Sequence, residues 1–171
     1  MFTTLARHPR LFRRWLPFGR ALLLRPALPR RDVELVILRT AWQCGAWYEW
    51  VQHVGLAGRA GLPASALDRV PEGPDAPGWS ERQRLILLAT DELHRTRVVT
   101  DHTWESLARE LDERQLIELC LLVGHYEMLA MALNSLGVEP EAAPLARLSR
   151  RSAMTAEELR ETLVRARRAR A

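Results

Sequence analysis

The sequence predicts an all-α fold of about six to seven helices. Apolar residues recur at helical spacing along almost the whole chain, and only 9 of the 171 residues are glycine. We find no segment that alternates apolar and polar residues as a half-buried strand does. The chain length and the 47% hydrophobic content suit one domain with a core of its own.

The first half of the chain contains the predicted helices that matter most for function. Residues 9–23 are expected to form short helical pieces that break at Pro17, because proline cannot donate a backbone hydrogen bond. A helix is predicted from about residue 31 to residue 43 by its apolar spacing. Gly45 is expected to end or kink this helix, and the next one is predicted over residues 46–60.

The second half begins with a clear loop, PEGPDAPG at residues 71–78. Ser80, with Gln83 three residues later, has the spacing of a capping box and predicts a helix start. Thr155 and Glu158 repeat that spacing near the C-terminus. The helices predicted in this half cover about residues 80–95, 100–111, 112–136 and 155–171.

Charge is distributed as an acidic body between two basic ends, and all 25 basic residues are arginine. Residues 1–39 carry nine Arg and two acidic residues (+7), residues 40–146 carry eight and sixteen (−8), and residues 147–171 carry eight and three (+5). Nucleic-acid binding would favour one continuous basic face with aromatic residues on it, so we expect no nucleic-acid partner. The opposite charges suggest that the ends pack on the body of the same chain or of a neighbour.

We expect a cytoplasmic protein without a membrane partner. The longest apolar segment, residues 116–133, contains Glu118, His125 and Glu127, which a membrane span would not carry without cause. Within this segment we expect His125 and Glu118 to form a core pair or an interface contact, and Tyr126 to serve packing.

The sequence predicts neither a metal nor a cofactor. Cys44 and Cys120 show no C-x-x-C spacing, which argues against a disulfide framework or a zinc site. A metal site needs three or four converging ligands, and the histidines and glutamates are scattered along the chain.

The segment CGAWYEWVQH, residues 44–53, concentrates groups that can move protons. Glu49 and His53 are four residues apart, so they share a helix face and can touch, and Tyr48 lies beside them. The nearby helix start could hold the carboxylate of a small acid or stabilise ionised Glu49. The residues alone equally fit a solvated pair beside packed aromatic residues. The side chains expected as walls of a substrate pocket are Trp42, Trp47 and Trp50.

Two stretches resemble the carboxymuconolactone decarboxylase family of the alkylhydroperoxidase D-like superfamily. RRDVELVILRTAWQCGAWYEWVQHVGLAGRAGLP (residues 30–63) carries the family motifs, in ELVILR and YEWVQH, and residues 80–138 resemble the rest of the domain. The resemblance implies an alkylhydroperoxidase D-like helical bundle and a homo-oligomer, commonly a trimer or hexamer. It implies one such domain over residues 1–145, followed by an Arg-rich helical extension over residues 146–171.

In redox members of the superfamily, a glutamate lies twelve residues before a C-x-x-C motif, and a histidine lies four residues after the second cysteine. Glu34 and His53 match that glutamate and histidine. Ala46 and Glu49 stand at the positions of the two cysteines. Cys44 lies two residues before the first of these positions and does not replace it.

The missing dithiol disfavours peroxidase chemistry, because one thiolate must attack the peroxide and a second thiol must resolve the product. The resemblance therefore implies a decarboxylase-like lyase that uses acid–base chemistry, without a cofactor, on a small carboxylated compound. Its expected catalytic residues are Glu34, Tyr48, Glu49 and His53. Two alternatives stay open: an alkylhydroperoxidase or peroxiredoxin-type antioxidant activity through Cys44, and an oligomer that binds a small ligand without turnover.

Overall fold

The structure, a computed structural model, describes residues 1–141, 144–145, 148 and 155–169. All regular structure in these residues is α-helical, which confirms the predicted fold class. The helices are α1 (Phe2–Leu5), α2 (Pro9–Leu24), α3 (Arg30–Gln43), α4 (Trp47–Arg59), α5 (Ala64–Arg69), α6 (Glu81–Thr96), α7 (Asp101–Leu107), α8 (Glu113–Ser135) and α9 (Ala156–Ala169).

Helix α3 is the central element, and every residue from Asp32 to Gln43 is buried. Helices α4, α6 and α8 pack around it, and α9 contacts α3 and α4. A helix that is buried on all sides must find a partner for each polar side chain, because an unpaired buried charge is strongly destabilising.

Helix α6 supplies the partners for three polar side chains of α3. Asp32 accepts from Arg82 Nε at 2.8 Å near one end of the helix. Toward the other end, the Arg39 guanidinium binds both carboxylate oxygens of Asp91, at 2.6 and 2.7 Å. Gln43 Nε2 also donates to Asp91, at 2.8 Å. These contacts fix the register of α3 against α6.

The turn between α3 and α4 is a glycine-dependent helix end. Gly45 has a φ of 57°, and its N–H donates to the Trp42 carbonyl at 3.2 Å. The next N–H, of Ala46, reaches back to the Ala41 carbonyl at 2.8 Å. This pair of bonds is the Schellman arrangement, in which glycine avoids the steric cost of the left-handed conformation. The predicted helix stop at Gly45 is confirmed.

Helix α2 is continuous through Pro17, so the prediction that proline breaks this region is wrong. Pro17 is exposed, and water can therefore solvate the carbonyl that lost its N–H partner. The helix also packs against α8. The capping box at Ser80 and Gln83 is confirmed, with both of its hydrogen bonds present.

Helix α8 is long and apolar enough to cross a membrane, judged by length and composition alone. However, 56% of its apolar window is buried inside the protein, as in the core helix of a soluble domain. Such a helix is weak evidence for a membrane span. Glu118, within this helix, accepts the backbone N–H groups of Ala27 and Leu28 at 2.8 and 2.9 Å, so it caps a loop and does not pair with His125.

Helix α9 begins at the predicted cap, because Glu158 N–H donates to Thr155 Oγ1 at 3.2 Å. Its Leu159 joins the core cluster that contains Trp42 and Trp50. The division between a domain over residues 1–145 and an extension over residues 146–171 stays a prediction. Part of that extension, including residues 149–154, lies outside the described residues.

We expect Asp91→Asn to lower the free energy of unfolding by about 3–5 kcal/mol, because it leaves the buried Arg39 guanidinium without its counter-charge. Urea unfolding followed by circular dichroism measures this loss. Arg84→Gln is the matched control, since it breaks an exposed pair with Glu81 and should change little. Equal losses in the two variants would contradict the assigned role of the buried pair.

Candidate active site

A cavity of about 540 Å³ lies where residues of α1, α2, α4 and α8 meet. Its walls are mostly aromatic and aliphatic. Its polar groups come mainly from α4 and α8, while the exposed side chain of Arg20 comes from α2. Apolar lining residues include Phe12, Trp15, Leu16, Leu23, Leu56 and Leu129. The chemistry-bearing ones are Tyr48, Glu49, His53, His125 and Tyr126.

His53 is held between a carboxylate and a phenol. Its Nδ1 is 2.7 Å from Glu34 Oε2, and its Nε2 is 3.2 Å from the Tyr126 hydroxyl. When Nδ1 carries the proton and donates it to Glu34, Nε2 is left as an acceptor for Tyr126. Glu34, from α3, therefore orients a histidine that lines the cavity from α4.

Glu34 is fully buried, and its second carboxylate oxygen faces Arg30. Arg30 Nη2 lies 3.3 Å from Oε1, one helical turn before Glu34 on α3. The Glu34 carboxylate thus has a cationic neighbour on one side and the imidazole on the other. The carboxylate is therefore held in place from both sides, which fixes the orientation of the His53 ring.

Tyr126 keeps its proton in this environment. Burial, and then the neighbouring Glu49 and Glu34 carboxyls, raise the pKa of Tyr126 well above 10. Its ring meets His53 edge to face, with centroids 5.2 Å apart. The sequence analysis assigned Tyr126 to packing only, and the structure corrects this: Tyr126 packs and is also a hydrogen-bond partner of the histidine.

Glu49 is buried in the cavity wall, and among the residues that the structure describes neither of its carboxylate oxygens has a hydrogen-bond partner. Burial raises the pKa of Glu49 well above its usual range and so favours the uncharged carboxylic acid. The expected contact between Glu49 and His53 is wrong, because Glu34 takes that place beside the histidine. The direction of the pKa shift also opposes the alternative in which the start of α4 stabilises an ionised Glu49.

His125 forms another part of the wall. It stacks on Trp15 with centroids 5.8 Å apart and planes 5° from parallel, and its buried Nδ1 has no hydrogen-bond partner within the described ranges of the chain. Burial lowers the pKa of His125 to about 4. The imidazole is therefore neutral near pH 7, and its stacking partner comes from α2, far away in the sequence.

Tyr48 lines the cavity but does not join the His53 group. Its hydroxyl donates to Glu141 Oε1 at 3.3 Å. Burial and the Glu141 carboxylate raise the pKa of Tyr48 to about 12. The hydroxyl of Tyr48 is therefore directed to Glu141, and not to any of the other three expected catalytic residues, Glu34, Glu49 and His53.

The expected aromatic walls lie elsewhere. Trp42 and Trp50 pack together with centroids 5.7 Å apart and line a different cavity, of about 350 Å³, next to Leu159. Trp47 is part of the same core cluster. The aromatic wall of the candidate site comes from α2, through Phe12 and Trp15. Cys44 also lies outside this cavity, beside His94.

Two solved structures share this fold. One is a protein of unknown function from Agrobacterium tumefaciens, described as a candidate antioxidant defence protein AhpD; it has a TM-score of 0.74 at 16% identity, over 81% of this chain and 96% of that one. The other is the alkylhydroperoxidase AhpD core of an uncharacterized peroxidase-related protein from Ralstonia eutropha JMP134; it has a TM-score of 0.75 at 19% identity, over 82% of this chain and 76% of that one. At these identities the likeness shows the fold alone.

The sequence comparisons agree with the fold. No curated protein matches the chain. The profile of the carboxymuconolactone decarboxylase family matches residues 9–92, a range that contains Glu34, Glu49 and His53. Over these residues, therefore, the chain matches the carboxymuconolactone decarboxylase family, and its sequence contains no C-x-x-C dithiol.

Proposed function

We propose that this protein is a lyase of the decarboxylase type that acts on a small carboxylated compound bound in the 540 Å³ cavity. One observation carries the proposal. A histidine oriented by a buried carboxylate lines the same apolar cavity as Glu49, whose pKa is raised by burial. Acid–base chemistry needs such a pair, with one group that can take a proton and another that can give one.

The two groups have complementary roles. In decarboxylation the bond to the carboxylate carbon breaks, CO₂ leaves, and the electron pair moves to a neighbouring carbonyl as an enolate. Glu49 then gives its proton to the carbon and regains one from water. When the substrate enters as the free acid, His53, backed by Glu34, takes the carboxyl proton before CO₂ leaves and releases it to water afterwards. The apolar walls favour the loss of a charged carboxylate as neutral CO₂.

A thiol peroxidase at Cys44 is the second candidate. Cys44 is partly exposed, and its Sγ lies 4.0 Å from His94 Nδ1. The thiolate would attack a hydroperoxide, which gives a sulfenic acid and an alcohol. One external thiol would then form a mixed disulfide with Cys44 and release water, and a second would restore the Cys44 thiol and leave as the disulfide of the two external thiols. Neither Cys44 nor Cys120 forms a disulfide bond in the described part of the chain, which is compatible with this chemistry.

The proposed lyase is tested with a panel of carboxylated lactones and β-keto acids, with CO₂ release as the readout. His53→Gln and Glu49→Gln should each lower kcat by about 10²–10⁴-fold on any substrate found, because each removes one proton-transfer group. Cys120→Ser on α8 is the control and should keep full activity. Full activity in both site variants would refute the site.

The same variants separate the other candidates. Hydroperoxide consumption that survives in His53→Gln and disappears in Cys44→Ser would favour the peroxidase. Saturable binding of a panel compound, weakened by Glu49→Gln and never followed by a product, would favour a protein that binds a ligand without turnover.

The buried carboxyl group of Glu49 makes the free energy of unfolding depend on pH. The unfolded chain ionises Glu49 above its ordinary pKa of 4.5, whereas the folded protein keeps the proton, so folding loses stability as pH rises above 4.5. The loss approaches about 1.4 kcal/mol per pH unit until the raised pKa is reached. Glu49→Gln should therefore match the wild type near pH 4 and exceed it at pH 8, in urea unfolding. A pH-independent difference would contradict a protonated Glu49.

We also propose that the protein forms a homo-oligomer through α8. Four large apolar side chains on this helix are about half exposed or more: Ile117 (54%), Leu121 (48%), Met128 (47%) and Met131 (62%). Their separations of four, seven and three residues follow a heptad, which places them in one stripe along the helix. Gly124 lies in that stripe, with open space where a Cβ would be, so a second helix could approach closely there.

Leu121→Glu should lower the molar mass measured by light scattering to that of a smaller assembly or a monomer, because it places a charge in the stripe. Val98→Glu is the matched control, since Val98 is an exposed apolar residue outside α8. An unchanged molar mass in Leu121→Glu would exclude this face as the interface.

A further inference from the structure

Three side chains of types that can bind a metal lie close together, outside the cavity of the candidate active site. Cys44 caps the end of α3, His94 lies in the last turn of α6, and Glu127 lies on α8. One ligand atom from each, the sulfur, the Nδ1 and a carboxylate oxygen, all lie within 4.8 Å of one another. The expectation that no such ligands converge is therefore wrong for these three, which are separated by 50 and 33 residues along the chain.

The contacts of His94 suit a cation better than a proton relay. Its Nδ1 is 2.7 Å from Glu127 Oε1 and 4.0 Å from Cys44 Sγ. In a catalytic relay the acid and the thiol would use different ring nitrogens, since one nitrogen cannot donate to a carboxylate and accept from a thiol together. Here both groups face the same nitrogen. A convergence of sulfur, nitrogen and oxygen on one point is the geometry of a metal centre.

The distances fit a small divalent ion. Zinc binds thiolate at about 2.3 Å, imidazole at about 2.0–2.1 Å and carboxylate at about 2.0–2.2 Å. In a tetrahedron these bonds place the sulfur about 3.6 Å and the oxygen about 3.4 Å from the nitrogen. The observed separations of 4.0 and 2.7 Å differ from these by less than 1 Å, which small side-chain rotations would absorb.

Neighbouring side chains hold Cys44 and Glu127 in position. Asn134 Nδ2 donates to the Cys44 carbonyl at 3.1 Å and so ties the end of α3 to α8. Arg97 Nη1 lies 3.2 Å from both carboxylate oxygens of Glu127, so one oxygen could stay with the guanidinium while the other binds metal. The thiolate and Glu127 together carry two negative charges against the one positive charge of Arg97, and the site can accept a dication.

We propose that Cys44, His94 and Glu127 form a binding site for a divalent transition metal of the zinc class. The mixed sulfur, nitrogen and oxygen set selects such ions over magnesium or calcium, which prefer oxygen ligands alone. His94 and Cys44 are both partly exposed. The fourth coordination position is therefore open to water or to a small ligand, as in catalytic rather than closed structural sites.

The proposal is tested by titrating the chelator-treated full chain with cobalt(II). We expect one equivalent to bind, with a thiolate-to-cobalt charge-transfer band and the intense visible bands of tetrahedral cobalt, and zinc to displace it. Cys44→Ser should lose the charge-transfer band. Glu127→Gln should weaken binding by more than the about 10–100-fold that loss of an outer-shell partner costs. Cys120→Ser should bind like the wild type.

Thiol alkylation gives a readout that does not depend on these variants. Zinc should slow the alkylation of Cys44 in the wild-type protein by at least about tenfold and leave Cys120 unchanged. Absence of stoichiometric cobalt binding, a charge-transfer band that persists in Cys44→Ser, or equal alkylation of Cys44 with and without zinc would each overturn the proposal.

Discussion

The burial of α3 on every side is the constraint on which the rest of the structure depends. A helix in that position cannot leave a buried charge unpaired, so each buried acidic or basic side chain on it has a partner on a neighbouring helix. Arg39 recruits Asp91 and thereby fixes α6. Glu34 recruits His53 and thereby fixes α4. The proposed active site is one of these obligatory pairs, with its histidine facing a cavity.

Glu49 stands where the resemblance to redox members of the superfamily places a cysteine, and it would keep one property of that position and remove another. A buried carboxylic acid with a raised pKa can still give and take a proton near the histidine, as a thiol can. It cannot exchange two electrons with a peroxide or form a disulfide. The position therefore suits proton chemistry, while the only cysteine nearby, Cys44, faces a different set of ligands in the part of the chain that the structure describes.

The local elements of this fold could be predicted from the sequence, and the contacts between distant elements could not. Gly45 alone predicts the end of α3, because glycine is the residue that tolerates a positive φ. Helical periodicity shows which face of α8 is apolar, but not that Tyr126 reaches His53. The raised pKa of Glu49 depends on how α2 and α8 close the cavity around it. The Cys44 cluster depends on the ends of α3 and α6 and on the interior of α8, which meet only after folding.

The tight turn at Gly45 makes chain length, in addition to the glycine itself, a sensitive variable in this region. Cys44 ends one helix and Trp47 begins the next, so the phase of α4 is set within three residues. One inserted residue in this turn would rotate every side chain of α4 by about 100° about the helix axis. His53 would then leave Glu34, while the pairs between α3 and α6 would stay intact. The number of residues between Glu34 and His53 therefore matters to this pair as much as the two side chains themselves.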